Sequence, residues 1–377
     1  MTAGIELFSI GFWFLTISGV FAVTVLRQPR HRLVMVVCVH LLVLYWAVGG
    51  TGTALLLGAL VTAYVALRVG SPTIALIAPA LAVFIGFKLG TLPAIRSVSG
   101  QELLAITGYS YVFLRWVDLV RTIRAGVAAC PSPLDFIHYM IPFHMLSAGP
   151  IQTYRDYVDH PISCPPLTFH KGLSSTERIA KGLFKKFVLA HIIQSVCLTG
   201  FQAGPWYTVL ELQLFFIWLY LDFSAYCDVA VGIGMLLGLH VPENFNRPYL
   251  ARNVIDFWER WHITLGQSVR AHLFVPVQLA LMRTRLGRYR LGCASVAFGV
   301  AFLLCGLWHQ FTMPFFLWGA IHAGGVVICN AYKTILIRRY GKKWFKRYNA
   351  HPVVRVVATV ITFEFVACSL YWVGKAP

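Results

Sequence analysis

Three histidines, His262, His309 and His322, lie in the last third of this chain among residues that are mostly apolar. A neutral imidazole can take a proton from a hydroxyl group, and its pKa is easily tuned near neutrality. A hydroxyl activated in this way can attack an acyl group. Ionisable side chains are costly at membrane depth, and a chain that keeps them there usually uses them. These histidines are therefore candidates for acyl-transfer chemistry.

His309 belongs to the string GLWHQ at 306–310, which follows an apolar run with no charge after Arg290. It is therefore expected at or beyond the end of a span, either as a catalytic base or as a capping residue beside Trp308. His322 follows thirteen residues later, about 20 Å away on a straight helix. The two histidines can reach one substrate only if the chain bends, and Pro314 is well placed for a bend. Otherwise, His322 packs between helices.

His262 lies in a segment that predicts one helix over 253–273. Asn253 and Asp256 resemble a capping box, and apolar, aromatic and histidine side chains recur at helical spacing behind them. The pattern indicates an interfacial helix with Trp258 and Trp261 at the level of the lipid headgroups. His262 is then either an interfacial residue satisfied by backbone or lipid, or part of the wall of a substrate tunnel near the cytoplasmic side.

Other reactive groups favour structural roles. Asp222 and Asp228 fall on different faces of a helix, so each is expected to pair with a basic residue or a backbone end rather than form an acid–base pair. The nine cysteines are scattered without a CxxC pair, which argues against a metal site or a disulfide framework. Thioester attack needs a base and an oriented donor, so neither a metal nor a bound cofactor is expected.

The composition is that of a membrane protein. Of 377 residues, 58% are hydrophobic and only 12% are charged, with a mean hydropathy of +0.69. Lys and Arg outnumber Asp and Glu by 32 to 14, but they cluster between apolar runs, as the positive-inside rule predicts. Nucleic acid is therefore not an expected partner. The run 7–26 is preceded by no basic residue and followed by three arginines, which predicts an uncleaved first span with an extracytoplasmic N-terminus.

A helix needs about 20 apolar residues to cross a bilayer, and several candidate runs are short or interrupted by Gly or Pro. We therefore predict an all-α protein in one domain, 1–377, with about nine to eleven spanning or re-entrant helices. The prolines of 152–178 predict an ordered surface loop there. Basic loops are expected at Lys171–Lys186 and Arg338–Arg347, among others. The candidate spans are 7–26, 33–49, 52–69, 72–90, 103–120, 134–151, 179–200, 206–224, 226–240, 291–308, 313–334 and 352–373.

Taken together, five strings resemble the membrane-bound O-acyltransferase family. The likeness is to its bacterial branch, which acts in alginate O-acetylation and in D-alanyl transfer to teichoic acid. It covers residues 100–330, and the long string at 242–265 is the most specific part of it. The strings are SAGPIQTYRDY (147–157), YLDFSAYCDVAVGIG (220–234), PENFNRPYLARNVIDFWERWHITL (242–265), GLWH (306–309) and WGAIHA (318–323).

The resemblance implies helices around a tunnel or funnel, in which a cytoplasmic acyl donor meets an acceptor that can be extracytoplasmic. His309 stands at the position of the family's catalytic histidine and His262 at that of its partner in the tunnel. Further candidates for lining the substrate site are Trp261, Trp308, Asn246, His322 and Gln310.

Three departures from the family pattern concern the acceptor and any partner protein. Gln310 replaces the glycine that commonly follows the GLWH histidine, which narrows or re-aims the site. Ala271 stands where relatives carry an acid after the RWH helix. Relatives also usually continue with further helices beyond the C-terminal LYWVGKAP.

The expected function is transfer of an acyl group, foremost acetyl, from a cytoplasmic thioester to a hydroxyl of an exported or cell-surface polysaccharide. The thioester is acyl-CoA or an acyl carrier protein, the enzyme is a multi-pass protein of the inner membrane, and a separate extracytoplasmic protein can complete the transfer. Three alternatives stay open: D-alanyl transfer from a carrier protein to teichoic acid, acylation of a small molecule or lipid, and a transporter or flippase without transferase chemistry.

Overall fold

The protein is described from a computed structural model that covers residues 10–89, 108–146, 148–162, 168–198 and 205–374. Within these ranges the chain is helical, and β pairing is confined to one isolated antiparallel bridge, so the all-α prediction is confirmed. The predicted start of span 103–120 and the prolines Pro165 and Pro166 lie outside the described residues. The helices are α1 (Ile10–Val25), α2 (Pro29–Arg68), α3 (Thr73–Leu89), α4 (Tyr109–Arg124), α5 (Pro133–Met140), α6 (Tyr154–Asp159), α7 (Phe169–Phe184), α8 (Pro205–Leu237), α9 (Val254–Trp258), α10 (Ile263–Val269), α11 (Val275–Met282), α12 (Arg290–His309), α13 (Met313–Ala350), α14 (Pro352–Ser369) and α15 (Tyr371–Gly374).

Five helices of the described residues are long and apolar enough to cross a membrane, judged by length and composition: α2, most of α8, α12, α13 and α14. The predicted runs 206–224 and 226–240 form one continuous helix, α8. The runs 33–49 and 52–69 are joined in α2, where Gly49 has the non-helical angles φ 70° and ψ 177°. A multi-pass membrane protein is thus confirmed, whereas the number of crossings stays a prediction.

Several segments that were predicted as loops are helical. The basic stretch 171–186 lies mostly in α7, and 338–347 lies in α13, with non-helical angles at Gly341. Lys and Arg are good helix formers, so a basic segment need not be a loop. The predicted surface loop 152–178 contains α6, which begins where the Thr153 hydroxyl accepts a hydrogen bond from Asp156 N.

The predicted span 134–151 is instead broken. Its helical part, α5, ends at Met140, and a single 3₁₀ turn follows at Phe143–Met145. Pro142 cannot continue the helix because it has no backbone N–H to donate.

The described chain forms two compact units, and the prediction of a single domain stays untested. Unit 1 comprises residues 1–184 and 225–242, and unit 2 comprises 185–224 and 243–377. In unit 1 the buried Arg115 donates to the carbonyl oxygens of Tyr139, at 2.8 Å, and Pro150, at 3.1 Å. The Asp118 carboxylate accepts from Tyr154 N at 2.6 Å. These bonds tie α4 to α5 and to the segment 150–157.

The two aspartates of α8 pair with basic residues, as predicted. In unit 1, Arg178 Nε lies 2.6 Å from Asp228 Oδ1. In unit 2, Lys186 Nζ binds Asp222 Oδ1. Each pair neutralises an acid within a helix that is apolar enough to span a membrane, where an unpaired carboxylate is expensive.

In unit 2, α12 and α13 form a tightly packed hairpin, in which glycines allow the backbones to approach closely. A Cβ atom on Gly306 would lie 2.2 Å from the carbonyl oxygen of Phe315, and one on Gly319 would lie 2.5 Å from that of Phe302. These contacts are with backbone atoms, which cannot move aside as a flexible side chain can. The glycines therefore fix the distance between the two helices that carry His309 and His322.

Gly306→Ala is expected to lower the stability of the hairpin by about 1–3 kcal/mol, because the added methyl group overpacks a backbone contact. The measurement is thermal unfolding in detergent. Gly299→Ala is the matched control, since it lies on the same helix and nothing lies within 4 Å of its added Cβ. Alanine favours helix over glycine, so the control is expected to be neutral or stabilising. Equal losses in both variants would contradict the close-packing explanation.

Candidate active site

The turn between α12 and α13 brings two of the candidate histidines against one indole. His309 is the last residue of α12, and α13 begins at Met313 with Pro314 in its first turn. The ring centroid of Trp318 lies 5.5 Å from that of His309 and 4.7 Å from that of His322. The bend predicted at Pro314 is therefore present.

Both ring nitrogens of His322 take part in hydrogen bonds. Trp258 Nε1–H donates to His322 Nδ1 at 3.2 Å, and His322 Nε2 lies 3.0 Å from the Ser369 hydroxyl oxygen. Ser369 donates its own proton to the Val366 carbonyl, so it accepts from His322 Nε2–H. His322 is a neutral, buried residue that joins α9, α13 and α14. The structure thus supports its role as a packing residue and leaves no ring nitrogen for a substrate.

The segment 253–273 is not the continuous helix that its spacing predicts. The N-cap is as expected, since Asn253 Oδ1 accepts from Ile255 N and Asp256 N. The helix α9 then ends at Trp258, and His262 adopts the left-handed angles φ 45° and ψ 54° before α10 begins. A non-glycine residue in this region costs about 1–2 kcal/mol, so other contacts must hold it there.

A single side chain, Asn244, holds His262 in that conformation. Its Oδ1 lies 3.1 Å from Thr264 N, 2.9 Å from Thr264 Oγ1 and 3.1 Å from His262 Nδ1. The backbone contributes as well, because Ile263 N donates to the Asn244 carbonyl at 3.0 Å. We call this set of hydrogen bonds, from Asn244 to residues 262–264, the Asn244 clasp. Sequence analysis missed Asn244, since nothing in the string PENFNRPY distinguishes it from Asn246.

This clasp determines the tautomer of His262. The Thr264 backbone N–H can only donate, so the Asn244 atom facing it is the amide oxygen. Nδ1 of His262 must then carry the proton, and its Nε2 carries a lone pair. Nε2 is buried, with no hydrogen-bond partner among the described residues. A buried lone pair of this kind is ready to accept a hydrogen bond from a substrate and so to orient it.

Burial lowers the pKa of His262 well below its usual value of 6.5, and the neighbouring His309 lowers it further. The structure thus places the two histidines close enough to influence each other electrostatically. His262 is neutral at physiological pH, as a hydrogen-bond-accepting role requires.

The tryptophans of this segment pack against other aromatic side chains of the protein. Trp261 is only 8% exposed and stacks on Phe257 with ring centroids 5.6 Å apart. Phe245 meets it edge to face at 5.1 Å. Trp258 packs against Phe302 and Trp318. Aromatic packing, rather than lipid, therefore holds both tryptophans.

The remaining predicted site residues, Trp308, Gln310 and Asn246, lie next to His309 or next to the Asn244 clasp. Trp308 contacts the His309 ring, with centroids 4.8 Å apart. Gln310 caps α12 in an extended conformation, and its N–H donates to the Gly306 carbonyl at 3.3 Å. Asn246 is exposed, and its N–H donates to the Arg260 carbonyl at 2.9 Å, so its backbone supports the clasp.

A cleft of about 280 Å³ lies beside the clasp in unit 2. One wall is the face of α12 that carries Phe298, Ala301, Phe302 and Cys305. His309 follows Cys305 by four residues, which places it on the same face one turn further along. The cleft is mostly apolar, with Glu259 and Arg270 among its polar residues. Such a lining suits an elongated guest with an apolar stem and a polar end.

The sequence matches the membrane-bound O-acyltransferase family over residues 4–373. The chain is 28% identical to teichoic acid D-alanyltransferase of Bacillus subtilis, over 74% of this chain and 70% of the relative. It is 29% identical to the probable alginate O-acetylase of Azotobacter vinelandii, over 66% of this chain and 50% of the relative. It is 32% identical to peptidoglycan O-acetyltransferase of Helicobacter pylori, over 64% of this chain and 43% of the relative.

The chain therefore belongs to the membrane-bound O-acyltransferase family. Its fold and relatives make it a multi-pass membrane enzyme that transfers acyl groups to hydroxyl oxygens. The chain spans about half the length of the two O-acetylating relatives, so what those relatives act on is not transferred to it directly.

Asn244→Ala is expected to reduce acyl transfer about tenfold or more, because a lost hydrogen bond to a buried group costs about 1–3 kcal/mol and here also frees the His262 ring. Acyl-transfer rates in membranes at matched protein levels provide the measurement. Asn246→Ala is the matched control: its side chain is exposed, and its hydrogen bond to Arg260 is made by the backbone. A similar loss in Asn246→Ala, or none in Asn244→Ala, would contradict the clasp.

His262 should also make stability depend on pH. Its pKa is lower in the folded protein than the usual 6.5, so the unfolded chain binds this proton more tightly. The contribution of neutral His262 to the stability of the fold is therefore complete above pH 6.5 and is lost as the pH falls below that value. In His262→Gln, the melting temperature should fall less than in the wild type between about pH 7.5 and about pH 5.5. The variant His351→Gln, at an exposed position, should show the same pH dependence as the wild type. If the melting temperature of His262→Gln falls as much as that of the wild type, His262 is not the source of the pH dependence.

Proposed function

We propose that this enzyme transfers an acetyl group from a cytoplasmic thioester, acetyl-CoA or an acyl carrier protein, to a hydroxyl of an exported or cell-surface polysaccharide. The observation that carries the proposal is the proximity of His309, at the end of α12, to His262, whose Nε2 lone pair is buried and unpartnered among the described residues. No metal or bound cofactor takes part.

The proposed acyl transfer needs one base, His309, and one residue that positions the substrate, His262. His309 takes the proton of the attacking hydroxyl as its oxygen bonds to the thioester carbonyl carbon. The carbon–sulfur bond then breaks, and His309 returns the proton to the departing thiolate. The products are an acyl ester and a free thiol, so atoms and charge balance. His262, fixed by Asn244, orients the donor or acceptor through Nε2.

The cleft beside α12 supports a long thioester donor. Its apolar wall suits an acyl group and the stem that carries it, while Arg270 offers a positive charge for an anionic end. The exposed basic residues of the C-terminal part of α13 would attract the anionic coenzyme or the acidic surface of a carrier protein. These residues are Arg338, Arg339, Lys342, Lys343, Lys346 and Arg347.

The positive-inside rule, applied to the three arginines that follow the run 7–26, supports the orientation that we propose in the inner membrane. Basic segments stay on the cytoplasmic side, which puts the N-terminus outside and the donor cleft within reach of the cytoplasm. The acceptor would arrive from the opposite side, and a separate extracytoplasmic acyltransferase would complete the transfer where the polymer lies beyond the membrane.

The test is acyl transfer from labelled acetyl-CoA in membranes that contain the wild type, His309→Ala or His351→Ala at matched protein levels. Label is followed in protein, carrier and glycan fractions. Loss of a general base is expected to reduce transfer by about 100-fold or more. The exposed His351→Ala should retain full activity. Equal labelling by His309→Ala and the wild type would eliminate His309 as the base.

D-alanyl transfer to teichoic acid is the second candidate. The Bacillus subtilis relative is matched over 70% of its length, more than the O-acetylating relatives at 50% and 43%. The same membranes supplied with a carrier protein bearing D-alanine as its thioester separate the two. Label from the carrier and none from acetyl-CoA would replace the acetyl proposal with this one. His309→Ala should abolish transfer in either case.

A further inference from the structure

Three side chains of unit 1 converge at a point that the acyl-transfer chemistry does not use. Asp156 Oδ1 lies 3.2 Å from His160 Nδ1 and 3.5 Å from His240 Nε2. One ligand atom from each residue lies within 4.8 Å of the other two. Two ligands bound at about 2.0–2.1 Å to a tetrahedral ion are about 3.3 Å apart, close to both measured separations. The rings of His160 and His240 are stacked with centroids 4.0 Å apart, and His160 Nδ1 lies 2.9 Å from the Asp156 carbonyl oxygen, so both exposed rings must turn to direct their nitrogens at one ion.

The second oxygen of the carboxylate is already oriented. Gln152 Nε2 donates to Asp156 Oδ2 at 2.9 Å, and Gln152 itself is buried. The amide therefore leaves Oδ1 directed at both imidazoles. A carboxylate ligand held by a further hydrogen bond is typical of built metal sites, where such contacts fix the ligand before the ion arrives.

The adjoining cavity also suits a small polar guest. It measures about 10 Å³, room for about one water molecule, and His160 and His240 share its wall with His144 and Tyr157. His144 is only 2% exposed, and neither ring nitrogen has a hydrogen-bond partner among the described residues. A water bound to an ion at the mouth of this cavity would give that buried imidazole a partner.

We propose that Asp156, His160 and His240 bind a divalent transition-metal ion of the Zn²⁺ class, with a water as fourth ligand. Two imidazoles and one carboxylate favour such an ion over Ca²⁺ or Mg²⁺, which prefer oxygen ligands. The ion replaces the proton between the His160 nitrogen and the Asp156 oxygens, since ligation needs a deprotonated nitrogen. It ties the end of α6 to the segment after α8, and its role is structural and independent of the proposed acyl transfer.

The test uses the full chain in detergent, purified without a polyhistidine tag. After equilibration with Zn²⁺ and removal of free ion, the wild type should retain one zinc per chain by elemental analysis. The double variant His160→Ala/His240→Ala should retain none, and His170→Ala, an exposed histidine of α7 outside the cluster, should match the wild type. Each single variant should weaken binding at least about tenfold.

Two further measurements guard against a folding artefact. Asp156→Asn keeps the shape of the side chain, so it should melt like the wild type without zinc but lose the rise in melting temperature that zinc produces. Co²⁺ in the wild type should give the visible absorption of a four-coordinate site. Wild type without retained zinc, or unchanged zinc in the double variant, would overturn the proposal. Zinc binding is measured without any acyl-transfer assay, so its failure leaves the proposed enzyme function unaffected.

Discussion

The candidate active site depends on the amide oxygen of Asn244. It lies within hydrogen-bond distance of the Thr264 backbone N–H, the Thr264 hydroxyl and His262 Nδ1, all within 3.1 Å. These bonds hold His262 in a left-handed conformation that would otherwise be unfavourable. They also decide which nitrogen of the imidazole carries the proton and leave the Nε2 lone pair buried. Local strain, tautomer and lone-pair direction thus follow from one polar side chain.

The second constraint is the close contact between α12 and α13. Gly306 and Gly319 bring the two backbones to a distance that no side chain would allow, so the end of α12 is held firmly against the start of α13. His309 is the residue at that end, and Trp318 separates it from His322. The two histidines have different surroundings: His322 has both nitrogens in hydrogen bonds, whereas His309 is close enough to His262 to lower the pKa of that imidazole.

The ionisable side chains of unit 1 show how an apolar protein keeps charge. Arg115 is buried and donates to two backbone carbonyls, while Asp228 pairs with Arg178. Carbonyl oxygens accept hydrogen bonds from the Arg115 guanidinium, and the Arg178 guanidinium neutralises the Asp228 carboxylate, as burial requires. Asp156, His160 and His240 differ, because they form a cluster of potential metal ligands, two of which line a small cavity. Neighbouring groups compensate the first set, and the proposed ion would compensate the second.

Composition and local sequence pattern by themselves determined the membrane helices, one helix cap and the position of one bend. Long apolar runs predict membrane helices because a bilayer demands them, the Asn253 cap acts on N–H groups two and three residues away, and Pro314 marks the bend after His309. The motif strings identified the histidines. Only the tertiary structure decided that the predicted helix over 253–273 breaks at His262. It also decided that Asn244 rather than Asn246 orients the His262 ring. In the same way, it decided that both ring nitrogens of His322 form hydrogen bonds, with Trp258 and Ser369. These contacts join residues far apart in the chain, and no local periodicity encodes which distant donor meets which acceptor.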